Sequence, residues 1–181
     1  MTGTYPRLPR IFAIQPSTRG FGWAVFEGPF SAHDWGVAYS KVHASKRNSL
    51  CVSKVDAMLT KYEPQTLVLE AYEAPAARHP RIVDLCRAVA ALAMNRGVDV
   101  AVFTKQEVYK VFGTVGARTK HEIAAAIALH FEPLQKRLPS KRKVWDSEAF
   151  RMTIFSAAAL ILTYYRFGAD QVFEDLRGAS G

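Results

Sequence analysis

Two side chains stand where apolar runs end and a side chain can leave the core to face a ligand. Gln15 follows Ile11-Phe12-Ala13-Ile14, and Glu70 follows Thr66-Leu67-Val68-Leu69. Open α/β sheets gather their ligands at the carboxyl ends of such strands. Two further acids, Asp146 and Glu148, follow a basic loop in Val144-Trp145-Asp146-Ser147-Glu148-Ala149. Carboxylates brought together from separate elements can hold Mg²⁺ or Mn²⁺, which take oxygen ligands. Each acid also has a plainer role. A Glu closing a strand is often a solvated edge residue, and Asp is among the best helix N-caps. Asp146 and Glu148 are two apart, so on a helix they would not face together.

The cations suggest a second chemistry. Residues 134–143 carry Lys136, Arg137, Lys141, Arg142 and Lys143 around Pro139-Ser140. Lys110 and Lys120 flank a glycine-containing loop, and Tyr72 and Arg78 lie in the loop after Glu70. Lys and Arg side chains neutralise backbone phosphates, and a loop aromatic can stack on an exposed base. A solvated surface explains the same lysines, and a lid over the core explains the same tyrosine.

These residues need a frame. Residues 11–26 read as a β-hairpin, with the turn residues Pro16 to Gly20 between an apolar run and an alternating one. Gly22 allows its strand to approach another backbone or a phosphate closely. Residues 33–39 extend the sheet, 45–62 form a helix, and 66–69 are a continuous apolar run suited to a central parallel strand. A helix over 81–96, a strand over 98–103 and a short helix over 105–112 follow. Thr119 and Glu122 form a capping box for a helix that stops at Pro133. The last long helix is expected from about Asp146 to Phe167, with a weak amphipathic turn at 171–176. The predicted division is a flexible 1–9, one domain over 10–168, and a C-terminal tail over 169–181. The order predicts an α/β fold with a mixed sheet between helical layers.

At the motif level a family emerges. Ile14-Gln15-Pro16-Ser17-Thr18-Arg19, then Gly22-Trp23-Ala24-Val25-Phe26, resembles the opening hairpin of RuvC-type Holliday junction resolvases, in the ribonuclease H-like superfamily. That family begins Ile-Asp-Pro-Gly-Ser-Arg, then Gly-Tyr-Gly-Val. Leu67-Val68-Leu69-Glu70 is similar to its second motif, whose Glu binds metal. Val83 to Val89 resembles the helix that follows. Thr104 to Gly113 and Arg118-Thr119-Lys120 resemble the segment that supplies DNA-contacting lysines.

The resemblance implies a ribonuclease H-like three-layer fold, an antiparallel hairpin followed by parallel strands, and helices on both faces. It also implies a homodimer that binds branched DNA in recombination or repair. It places Glu70 and Asp146 as ligands of Mg²⁺ or Mn²⁺, with Glu148 as a weaker acid and the basic residues named above on DNA. Two departures follow. Gln15 stands where the family has its first metal-binding Asp, and Phe150 and Arg151 stand near its last acid. A carboxamide has no charge with which to bridge two hard cations, so metal should bind weakly or not at all. Loss of one ligand charge costs several kcal/mol, roughly a thousandfold or more in rate. Glu73, Asp34 or Glu27 would have to compensate. Gln15→Asp is expected to restore part of the activity, provided Asp146 supplies the opposite ligand.

Composition agrees. The 181 residues suit one domain, 49% are hydrophobic, and the net charge of +8 favours a polyanionic partner. Cys51 and Cys86 read as buried free thiols, as in a reducing cytoplasm. The apolar stretch 149–165 carries Arg151, Thr153 and Ser156, which argues against a membrane span. A different class remains open: a small-molecule phosphate or nucleotide binder of the actin-like or sugar-kinase type. Those proteins need a second phosphate-holding hairpin, for which 113–116 gives a weak echo.

Overall fold

The computed structural model describes residues 7–73, 79–145 and 147–178, with side chains described as far as residue 169. The described residues form five strands and six helices. The strands are β1 (Arg10–Ser17), β2 (Gly20–Glu27), β3 (Ala32–Tyr39), β4 (Thr66–Glu70) and β5 (Asp99–Phe103). The helices are α1 (Ala44–Tyr62), α2 (Pro80–Asn95), α3 (Lys105–Gly113), α4 (Lys120–His130), α5 (Glu132–Gln135) and α6 (Met152–Gly178).

The sheet runs β3-β2-β1-β4-β5, antiparallel through the hairpins and parallel from β1 to β5. Strand residues alternate between two cores. Ile11, Ala13, Ala24, Phe26 and Val68 face a layer built on α3, α4 and α6. Phe12, Ile14, Trp23, Val25, Leu67 and Leu69 face α1 and α2. The mixed sheet thus lies between helical layers, as the order of elements implies.

The last helix departs from expectation at both ends. It begins at Met152 rather than near Asp146, which itself lies outside the described residues. Tertiary contacts hold the approach segment away from helical geometry. The Phe150 ring meets Tyr39 edge-on at 5.9 Å, while Glu148 reaches Lys120 at 2.6 Å. The first turn then forms on Ala149 and Phe150 carbonyls, with Thr153 Oγ1 also donating to Phe150 O at 2.6 Å. At the other end the helix continues to Gly178, through most of the expected tail over 169–181. No proline interrupts it. Its Met152–Ala169 stretch has mean hydropathy 1.2 and is 56% buried, so packing in the α3–α6 layer accounts for its apolarity.

Two contacts pin α6 to the hairpin. A Cβ on Gly22 would lie 2.1 Å from Thr153 Oγ1 and 2.5 Å from the Thr153 carbonyl carbon, so only glycine allows this approach. The neighbouring backbone expected at Gly22 is therefore that of α6. Nearer the other end, the Gly28 N–H donates to Tyr165 Oη at 3.0 Å. Cys51 and Cys86 are both buried.

Candidate nucleic-acid interface at the strand ends

Parallel pairing sets the centre of the site. Ile11, Phe12 and Ala13 pair with Thr66, Leu67 and Val68. Gln15 and Glu70 each lie two residues beyond the last pair, so they end side by side on the face of Ala13 and Val68. That face looks towards α6.

A cavity of about 250 Å³ opens there. Gln15 and Glu70 form one wall. Met152, Phe155, Ser156 and Ala159 of α6 form another. Their spacing of three, four and seven residues keeps them on one helix face. Lys105 and Tyr109 of α3 and Lys120 of α4 close the rim. Gln15 Oε1 is buried and has no hydrogen-bond partner among the described residues.

Next to it runs a wider groove of about 590 Å³, which shares Lys105, Tyr109, Lys120 and Met152 with the cavity. Lys141, Arg142 and Arg151 add cations, and Glu148 is the groove's acid. Together the two spaces collect five cations (Lys105, Lys120, Lys141, Arg142, Arg151) against two carboxylates (Glu70, Glu148), a surplus of three positive charges. The Lys105 ammonium lies 5.6 Å from the centre of the Tyr109 ring. His121 Nε2 meets Pro139 O at 3.1 Å, and Leu134 is fully buried, so the basic loop is anchored at its base. Thr104 and Thr119 each close a capping box, with Glu107 and Glu122, and these fix the starts of α3 and α4. Backbone N–H groups of Arg118 and Thr119 on Glu122 hold its carboxyl below the usual range.

The expected site residues are distributed unevenly. Gln15, Glu70, Lys120, Lys141, Arg142 and Glu148 gather at the cleft. Lys110 is exposed late in α3 and lines neither space, while Lys136 and Arg137 follow α5 outside it. Lys143 sits 5.5 Å from the centre of the Trp145 ring. Tyr72 is half-buried against the α1–α2 core, and that burial pushes its hydroxyl up. Arg78 and Asp146 lie outside the described residues. The three substitute acids are engaged elsewhere: Glu27 with Arg10 at 2.6 Å, Asp34 with Lys61 at 3.6 Å and Glu73 with Arg87 at 3.8 Å. The segment 113–116 closes α3, with Gly116 at φ 81°, and forms no second hairpin.

Sequence reasoning overlooked Lys105, Tyr109 and Arg151. A signal for Lys105 was present, because it lies two residues past the end of β5, at the same carboxyl edge as Gln15 and Glu70. Arg151 was marked only as standing near the resolvase family's last acid, and its place on the groove depends on the late start of α6.

No family model matches the sequence, and no curated protein sequence matches it. Solved structures do. A Thermus thermophilus RuvC in complex with Holliday junction substrate superposes at TM-score 0.64 and 19% identity, over 88% of this chain and 96% of that one. A further Thermus thermophilus RuvC structure superposes at TM-score 0.63 and 19% identity, with the same coverage.

The chain has the ribonuclease H-like fold of RuvC.

The described donors at this cleft do not by themselves fit the metal ions implied by the RuvC resemblance, and Asp146, the other expected ligand, lies outside the described residues. A two-metal site needs several carboxylates around cations about 4 Å apart, one of them bridging. The cavity offers one carboxylate, a carboxamide and two ammonium groups. The α6 face offers a thioether, an aromatic ring, a hydroxyl and a methyl group. Among the described residues no three His, Cys, Asp or Glu side chains come together in a way that could hold a metal. Lysines beside such a site would also repel a divalent cation.

Proposed function

We propose that this protein binds branched DNA at the RuvC-like cleft and holds it without efficient cleavage. One observation carries the proposal: among the described residues the strand-end cleft is rimmed by Lys105 and Lys120, with Glu70 as its one carboxylate. Ammonium groups neutralise phosphates directly, whereas hydrolysis needs an activated water that these side chains have no means to generate. The groove beyond, with Lys141, Arg142 and Arg151, continues the positive track. Most of its contacts would be to phosphates, which position a nucleic acid without reading its sequence. The functional unit on this reading is a cytoplasmic homodimer, one cleft per protomer, acting in recombination or repair.

The test is binding and cleavage of a labelled four-way junction, with linear duplex as the comparison. Tighter binding of the junction, unchanged by EDTA, is expected, with no cleavage in Mg²⁺ or Mn²⁺. Equal affinity for both DNAs sinks the branched-DNA proposal. Robust wild-type cleavage that is lost in Glu70→Gln sinks the non-cleaving one.

A further inference from the structure

The groove is lined by both arms of one loop, Lys141 and Arg142 before its tip and Ser147, Glu148 and Ala149 after it. Two residues of the tip are bare, Val144 at 98% exposure and Trp145 at 79%. Burying an indole is strongly favourable, so a tryptophan left in water beside a cleft marks a contact surface. The other two tryptophans are spent on the fold: Trp23 is 9% exposed and Trp35 packs against the α3–α6 core. Phe30, 91% exposed, is equally bare but follows Glu27, which pairs with Arg10 at the opposite end of β1 from the cleft.

What surrounds Trp145 identifies its partner. The Lys143 ammonium sits 5.5 Å from the ring centre, and Lys136, Arg137, Lys141 and Arg142 precede it in the loop. A hydrophobic protein partner would have to desolvate those charges, whereas a polyanion is drawn to them. Single-stranded nucleic acid is held by this same pairing, cations on the phosphates and an aromatic face under a base. We infer that Trp145 is a stacking platform for an unpaired base, at the rim of the groove whose cations hold the adjoining backbone. This rests on the DNA-binding reading above and adds the requirement that the bound DNA be locally unpaired, as at a branch point.

Trp145 is the one strongly exposed indole, so tryptophan emission reports on it directly. The experiment titrates the full-length protein with a four-way junction, linear duplex and phosphatidylserine vesicles, using wild type, Trp145→Phe and Trp145→Ala. Unchanged melting temperatures confirm that the variants fold. Junction should quench wild-type emission well beyond duplex. Trp145→Ala should lose roughly tenfold or more in junction affinity, with most of it kept by Trp145→Phe. Junction binding that is unchanged in Trp145→Ala overturns the stacking role and leaves the DNA-binding reading intact. No junction binding by wild type overturns both. A blue shift on vesicles with no response to DNA assigns the tip to a membrane surface and also overturns it.

Discussion

At the residue scale, the hairpin that carries Gln15 has a recognisable sequence, and the residue's place at the end of β1 was legible from it. The company it keeps was not. Which side chains reach Gln15 depends on the phase of α6, and that is set by contacts distant in sequence, Phe150 on Tyr39 and Glu148 on Lys120. Restoring activity with Gln15→Asp requires an acid across the cleft, and α6 presents Met152, Phe155, Ser156 and Ala159 there. Gln15→Asp alone should therefore leave cleavage absent and Mn²⁺ affinity little changed. Adding Ser156→Asp, at a polar and half-buried position, should raise Mn²⁺ affinity tenfold or more by calorimetry. Strong nicking by the single variant would show that an acid outside the described residues completes the site.

At the element scale, periodicity and capping located the helices well wherever local chemistry decides them. Thr119 with Glu122 announced α4, and Thr104 with Glu107, the same pattern at the same spacing, announces α3. The failures came at segments held by tertiary contact, such as 147–151, and where nothing stops a helix, as beyond Phe167. Gly22 provides a stability test of how the hairpin meets α6. In Gly22→Ala the new methyl collides with the Thr153 backbone, and the hairpin must move or α6 must lift. Overpacking of this kind costs about 1–3 kcal/mol, read as a lower urea midpoint at unchanged m-value. Gly113→Ala, in a helix with nothing within 4 Å of its added Cβ, is the matched control and should be neutral or slightly stabilising. Equal loss in both variants would show that the approach at Gly22 is not a tight one.

Across the whole molecule, the charge of +8 pointed correctly to surplus cations but not to where they act. Several on α1 serve the fold. Arg47 donates to the Thr18 and Val42 carbonyls, and Lys54 to that of Tyr39, tying α1 to the loops beside it. The five at the cleft are the ones proposed to meet phosphate. If each neutralises one, log affinity should fall against log salt with a slope of about −4 to −5. Lys105→Ala and Lys120→Ala should each reduce that slope by about one, and Lys110→Ala should leave it nearly unchanged. A salt series of junction binding across the three variants measures this. An effect of Lys110 equal to that of Lys105 would place the DNA track along α3 instead.

The two pins on α6, at Gly22 and Gly28, also bear on motion. A helix clamped to a hairpin at both places cannot slide without breaking both, so its amides between the pins at Thr153 and Tyr165 should exchange with solvent only on global unfolding. The groove, in contrast, is bounded by a loop held by His121 on Pro139 before its tip and by Lys120 on Glu148 after it, with Val144 and Trp145 exposed between these contacts. The molecule is therefore built like a bench vice, with one jaw part of the frame and the other, bearing Lys141, Arg142 and Trp145, facing it across the groove.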